Sequence, residues 1–272
     1  MNEPAEISEP MPRATALLVA GRRPGIDPLA KHFGVENKAL IEVAGEPMLS
    51  RVARVLVADP HVREVVVLAQ DPAALMRHPG TQWMAADPRI SGHAGGNSVS
   101  GAVAAAIAAR PAGWPFLVTA ADNVLIDPAT LAAFAAGAAA TEGDVALGLV
   151  PRSVFRAQFP DARRTWLEFR GEAFSGANLF WLARPAALAA VDFWQRVESE
   201  RKRVRAIAAA FGPGLLIAYL LRLLSAAEAI GRAGRKLGVR AAPVSLPVAH
   251  ACIDVDKPDD HALAERLIAG AG

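Results

Sequence analysis

The chain of 272 residues has a single cysteine, Cys252, which excludes an intramolecular disulfide framework and any all-cysteine metal cluster. It also lacks an excess of charge of one sign. Twenty-nine basic against 27 acidic residues leave +2, too little to argue for nucleic acid as a partner. The first dozen residues, Met1 to Pro12, have neither the basic start nor the apolar run of a signal peptide and read as a loose tail. No long uninterrupted apolar segment is present. The nearest approach, Ala206 to Leu224, is broken by Gly212-Pro213-Gly214 and carries Arg222, so no spanning helix is expected and a cytoplasmic, soluble protein is. The six histidines and Cys252 show no metal-ligand spacing, and no Ser/His/Asp arrangement or internal repeat stands out.

What is present is apolar bulk. Hydrophobic residues make up 53% and charged residues 21%, which excludes a disordered or coiled-coil chain. Surface scaling buries roughly 73% of the unfolded area for this mass, enough for a core without staples. Continuous apolar runs at Thr15–Ala20, Val65–Leu68, Phe116–Ala120 and Val145–Val150 suit buried parallel strands. Between them lie helix-length segments, Pro47–Ala58, Asn97–Ala109 and Pro128–Ala139, with Asp127 as an N-cap candidate. The alternation predicts a three-layer, Rossmann-like α/β fold with a mostly parallel mixed sheet flanked by helices. Beyond Val150, Thr165–Arg170 and Asn178–Leu182 read as two strands around a turn, about 186–238 as a helical insertion, Cys252–Val255 as a last strand and Pro258–Ala269 as a last helix. A tail over 1–13 and one domain over 14–272 are expected.

In such sheets the ligand crevice lies beyond the carboxyl ends of the strands. The turn after the first strand, Gly21-Arg22-Arg23-Pro24-Gly25, followed by Lys38, offers backbone N–H groups and cations to a polyphosphate; a basic surface turn would read the same. It is neither G-x-G-x-x-G nor a Walker loop. Asp122, directly after the buried run FLVTA, is costly there unless solvated, paired or bound to a cation such as Mg²⁺; a turn residue is the alternative. Asp254 and Asp256 lie two residues apart, pointing one way if extended, while Asp256 also suits a helix cap before Pro258. His93 to Ser98 is a glycine-bearing loop entering a helix. Residues 152–170 hold Arg152, Arg156, Arg163, Arg164 and Arg170 against Asp161 and Glu168, which suits an anionic acceptor or a solvated face.

Together LLVAGRR (Leu17–Arg23), KALIEVAGEPML (Lys38–Leu49), LVTAADNVLI (Leu117–Ile126), SGANLF (Ser175–Phe180) and IDVDKPDD (Ile253–Asp260) resemble the MobA-like nucleotidyltransferases, of the GT-A type fold. The resemblance covers about residues 14–185 and 240–269. It implies a nucleotide held by Leu18, Ala20 and Gly21, with Gly96 and Ser98 near base and ribose. Arg22, Arg23 and Lys38 would act on the phosphates, Asp122 and Asp256 would bind Mg²⁺, and Asn178 would face the acceptor, with Arg164 beside it. The implied reaction moves a nucleoside monophosphate from CTP or GTP onto a phosphorylated small-molecule or lipid-like acceptor and releases pyrophosphate. The chain departs from many members at Ala20, where they have glycine, and in a longer run before Lys38.

Two other readings stay open. A GT-A glycosyltransferase uses the same cradle but consumes a sugar nucleotide. A non-catalytic membrane-surface binding protein is suggested by Arg196, Arg201, Lys202, Arg203 and Arg205 preceding LLIAYLLRLL (Leu215–Leu224); the same segment suits a helical hairpin packed on the core or a dimer contact.

Overall fold

Side chains alternate along a strand, so a strand buried on both sides feeds two separate cores. The first strand shows this. In β1 (Ala14–Val19), Ala16 and Leu18 enter one apolar cluster and Leu17 the other. The computed structural model describes residues 13–21, 25, 27–96, 98–199 and 211–270. The tail over 1–12 and the expected phosphate residues Arg22 and Arg23 lie outside these.

The further strands are β2 (Glu42–Val43), β3 (Glu46–Pro47), β4 (Val62–Ala69), β5 (Ile90–Ala94), β6 (Phe116–Ala120), β7 (Val145–Pro151), β8 (Leu167–Glu168), β9 (Ala173–Leu182) and β10 (Ala241–Ser245). The helices are α1 (Pro28–His32), α2 (Met48–Ala58), α3 (Pro72–Arg77), α4 (Trp83–Ala86), α5 (Val99–Ala108), α6 (Pro128–Ala140), α7 (Arg152–Gln158), α8 (Leu188–Ser199), α9 (Pro213–Leu220), α10 (Ala226–Lys236) and α11 (Pro258–Gly270). The eight-stranded main sheet runs β10-β7-β9-β6-β1-β4-β5, with β8 paired to β9. Strand β9 is antiparallel to β6 and β7, and the β1–β4, β1–β6, β4–β5 and β7–β10 pairs are parallel. A separate β2–β3 hairpin turns at Ala44-Gly45, both with positive φ.

The two cores make three layers. Met48, Leu49, Val52 and Leu56 of α2 pack with Leu18, Val65 and Val67 on one face, joined by Leu131 and Phe134 of α6. On the other face Val103, Ala106 and Ile107 of α5, and Val191 of α8, meet Leu17, Val66 and Leu68. Each fully buried Leu or Val here contributes about 1.5–3 kcal/mol relative to exposure. A third, smaller cluster joins Leu149, Phe169, Leu224, Ala226 and Ala229, beneath α9 and α10. Asp127 caps α6, its side chain accepting from Thr130 N.

The segment expected as a last strand, Cys252–Val255, is not one. Ala249–Cys252 forms a 3-10 turn, and the residues after it run extended with Val255 N donating to the Asp122 carbonyl at 3.0 Å, outside any ladder. The last strand is instead β10, an edge strand carrying Pro243. No helix among the described residues is long and apolar enough to cross a membrane.

Candidate active site

Three chain segments meet beyond the carboxyl end of β6, and each is fixed by its own backbone. The first holds Lys38. It opens a 3-10 turn over Lys38–Leu40 capped by Asn37, whose Oδ1 accepts from Ala39 N at 2.9 Å. The Asn37 amide also donates to the Ala20 carbonyl at 3.3 Å, tying this turn to the end of β1. The second is Asp122, held by its neighbours: Ala121 N donates to the Val19 carbonyl at 2.8 Å and Asn123 N to the Ala120 carbonyl at 3.1 Å. Asn123 is fully buried and its amide donates to the Ala177 carbonyl at 3.0 Å, which locks the turn against β9. The third is the stretch after the 3-10 turn at Ala249–Cys252, which carries Asp254 and Asp256.

The Lys38 ammonium donates to Asp122 Oδ2 at 2.7 Å and to Asp256 Oδ1, so two carboxylates grip one cation. Lys38 and Asp122 are mostly sheltered, while Asp256 is 58% exposed. Burial disfavours the Lys38 charge, yet the two carboxylates outweigh it and hold the ammonium above its usual pKa. For Asp122 burial wins: the carboxyl is pushed above the usual range, helped by Asp256 and Asp254 and opposed by Lys38. Its Oδ1 is buried and has no hydrogen-bond partner among the described residues. A buried carboxylate oxygen left unbonded is expensive, and such perturbed groups concentrate where chemistry is done.

The unbonded oxygen, beside a second and more exposed carboxylate, fits a hard divalent cation that keeps water or phosphate in its other positions. Charge argues the same way. Lys38, Asp122 and Asp256 sum to one negative charge, which would repel a polyphosphate; a divalent cation reverses the sign. Among the described residues no group of three or more His, Cys, Asp and Glu side chains is arranged to enclose a metal by protein ligands alone.

A second network supports the third segment. The Arg164 guanidinium donates to the Cys252 carbonyl and to Asp254 Oδ1, and lies 3.7 Å from Asp260. Asp260 in turn accepts from Asp256 N at 3.3 Å and Lys257 N at 3.1 Å, so Asp260 supplies the cap before α11 and Asp256 turns to Lys38. Asn178, at φ 50°, donates to Asp254 Oδ2 at 3.3 Å. The other arginines of this stretch are dispersed: Arg152 pairs with Glu168 at 2.8 Å and Arg170 with Glu228 at 2.7 Å.

The expected nucleotide residues fall in different settings. Gly96 is exposed, and its carbonyl accepts from Gln70 at 3.4 Å. Gly21 lies at the mouth of β1. Ala20 is buried, with its N–H donating to the Leu68 carbonyl at 2.9 Å. Leu18 has its side chain in the core and lies in register with strands on both sides, directly below the turn. Ser98 is the N-cap of α5, accepting from Gly101 N at 3.0 Å. It also donates to Glu198 of α8 at 3.1 Å, and that carboxylate accepts from Val99 N, Ser100 N and the Ser100 hydroxyl as well. Sequence reading missed Glu198, which lies about a hundred residues from its partners. A cavity of about 300 Å³ opens between these parts, lined by Val19, Ala120, Asn178, Phe180, Trp194 and Glu198.

The rim of the sheet thus presents a lysine between two carboxylates, and comparison with known proteins gives the class of enzyme: a nucleotidyltransferase. The profile of the MobA-like NTP transferase domain matches residues 18–210, and the chain belongs to that family. Among solved structures it is similar to a hypothetical transferase from Thermus thermophilus, at 28% identity and TM-score 0.74, covering 92% of this chain and 99% of that one. It also shares its fold with a CMP:2-keto-3-deoxy-manno-octonic acid synthetase complexed with CTP (14% identity, TM-score 0.57, 95% and 100% covered). A 4-diphosphocytidyl-2C-methyl-D-erythritol synthase from Anaerococcus prevotii is similar too (9%, 0.55, 96% and 100%). No curated protein sequence matches the chain.

Proposed function

We infer that this nucleotidyltransferase moves a nucleoside monophosphate from CTP or GTP onto a phosphorylated acceptor, with Mg²⁺ as cofactor. The observation that carries the reading is Lys38 held between Asp122 and Asp256, with one buried oxygen of Asp122 unbonded. An acceptor phosphate oxygen attacks the α-phosphorus and forms a new P–O bond. The bond to the bridging oxygen breaks, and pyrophosphate leaves with the electron pair. No protein nucleophile is required, so positioning and charge neutralisation do the catalysis. Lys38 neutralises charge growing on the phosphates, and releasing its grip on one carboxylate frees that group for a cation. Asp122 and Asp256 would hold Mg²⁺, which supplies charge neutralisation at the α-phosphate and the leaving pyrophosphate. The turn at Gly21 would approach the nucleotide, Gly96 and Ser98 would lie toward base and ribose, and Asn178 and Arg164 toward the acceptor. The fold neighbours that bind CTP or are named for a cytidyl product make CTP the first nucleotide to test.

The test is a pyrophosphate-release screen of the four triphosphates against phosphorylated sugars, polyols and lipid-like alcohols, with and without Mg²⁺. Release is expected with CTP or with GTP, only with acceptor and Mg²⁺ together. Liberation of a nucleoside diphosphate from a sugar nucleotide, with no pyrophosphate from any triphosphate, would mark a glycosyltransferase instead.

A further inference from the structure

Away from the rim, α9 is apolar nearly all round, and among the described residues one of its sides is covered while another lies exposed. Leu215, Ala218 and Tyr219, spaced three and four apart, pack on the cluster of Phe169 and Leu224. Ile217, Leu220 and Leu221 repeat that spacing on another side and are each more than half exposed, as is Leu223 just after the helix. Four large aliphatic side chains together on the surface cost hydration free energy unless something covers them.

The charge around them says what fits. Arg222 lies within the leucine run and is 62% exposed. At the start of α9 the surface is shared with Arg232, Arg235 and Lys236 of α10, all exposed. Residues 211–240 hold five basic side chains and one acidic, a balance of +4, whereas the rest of the chain sums to −2. The acidic groups nearby are engaged: Glu228 by Arg170 at 2.7 Å, and Glu168 by Arg152 at 2.8 Å, with Arg222 only loosely placed 3.8 Å from Glu168 and still largely exposed. A leucine patch with a cationic surround disfavours a second copy of itself, since two such faces bring like charges together. It suits an interface that is apolar inside and anionic outside.

We propose that the α9–α10 face docks on an anionic lipid surface, with Ile217, Leu220, Leu221 and Leu223 entering the acyl boundary and Arg222, Arg232, Arg235 and Lys236 facing lipid phosphates. The helix is too short to span and lies along the surface. The proposal concerns binding and stands apart from the reaction at Lys38.

Flotation of the full chain with vesicles tests it. With phosphatidylcholine containing about one third anionic phosphatidylglycerol at low salt, most of the protein is expected to float. With phosphatidylcholine alone, or in about 0.5 M NaCl, at least tenfold less should float. Leu220→Ser, Leu221→Ser and Leu223→Ser combined should lower flotation about tenfold or more. Should that variant misfold by circular dichroism, Arg232→Glu with Arg235→Glu carries the same expectation. Wild-type protein left in the soluble fraction with anionic vesicles at low salt overturns the proposal, as does undiminished flotation of a folded patch variant. A wild-type dimer in sedimentation that the serine variant makes monomeric overturns it too, by showing that a second copy covers the leucines. Loss of flotation would leave the pyrophosphate-release reading untouched, and the reverse holds.

Discussion

Two carboxylates, one at the rim of β6 and one where α8 meets α5, show how opposite surroundings give opposite roles. Asp122 sits in a turn whose flanking N–H groups bond elsewhere, and one of its oxygens has no donor among the described residues; burial pushes its carboxyl up. Glu198 receives two backbone N–H groups and two hydroxyls at the first turn of α5. Partial burial alone would raise its pKa, but the bonds from Ser100, Val99 and Ser98 outweigh it and hold it below the usual range. The saturated carboxylate is a joint between helices. The unsaturated one stores unfavourable energy that a ligand can release, which is why the proposed function gives it the cation.

The sharpest way to break that contrast is at Asp122. Asp122→Asn should lower turnover at least 100-fold, measured as pyrophosphate release, because it removes a cation ligand and loosens the hold on Lys38. Its melting temperature should fall only modestly, since Lys38 loses one carboxylate but keeps Asp256 while a buried charge with an unbonded oxygen is removed. Lys38→Ala should cost a similar factor in turnover. Near-normal release from folded Asp122→Asn protein would remove the metal assignment.

Arg164 sharpens the comparison, because it separates holding a site together from touching a substrate. Its side chain is only 12% exposed and bridges the Cys252 carbonyl, Asp254 and Asp260. Arg164→Ala leaves those carboxylates without their shared cation and should destabilise the fold by about 2 kcal/mol. Arg164→Lys keeps the charge but not the fork and should lower activity roughly tenfold. The split decides the role. A fall in kcat at unchanged acceptor KM marks a residue that acts through Asp256, whereas a raised acceptor KM marks contact with the acceptor.

How much of this could be read in advance follows burial. The central strands were legible because a strand covered on both faces is written as an unbroken apolar run, as in Phe116–Ala120. The edge strands β5 and β10 were not: ISGHA and AAPVS have partly exposed faces and a proline, which at an edge costs no ladder bond. At the site, Asp122 announced itself as a carboxylate ending an apolar strand, Lys38 as a cation offered to a polyphosphate and Asp256 as one of two aspartates two residues apart, while the metal role of Asp256 came only through family resemblance. Asp254 was seen, but its tie to Arg164 and Asn178 was not. Glu198 left no local trace, because its partners at Ser98, Val99 and Ser100 are brought near only by the packing of α8 on α5.

The smallest expected effect belongs to Glu198, and its pH dependence tests the contrast most finely. A carboxyl whose pKa is lowered by folding stabilises the native state above its unfolded value of about 4.3, and that contribution disappears as pH falls through the lowered folded value. Glu198→Gln should therefore melt about 2–4 °C lower than wild type at neutral pH, the scale of a lost helix cap of about 1 kcal/mol in a chain of this size. In acid the two melting curves should converge, because the wild-type carboxyl is then protonated too. Turnover of the variant should stay within a few-fold of wild type if the joint is only a joint. A loss near that of Asp122→Asn would instead place Glu198 among the groups that meet the substrate, and the distinction between the two carboxylates would fall.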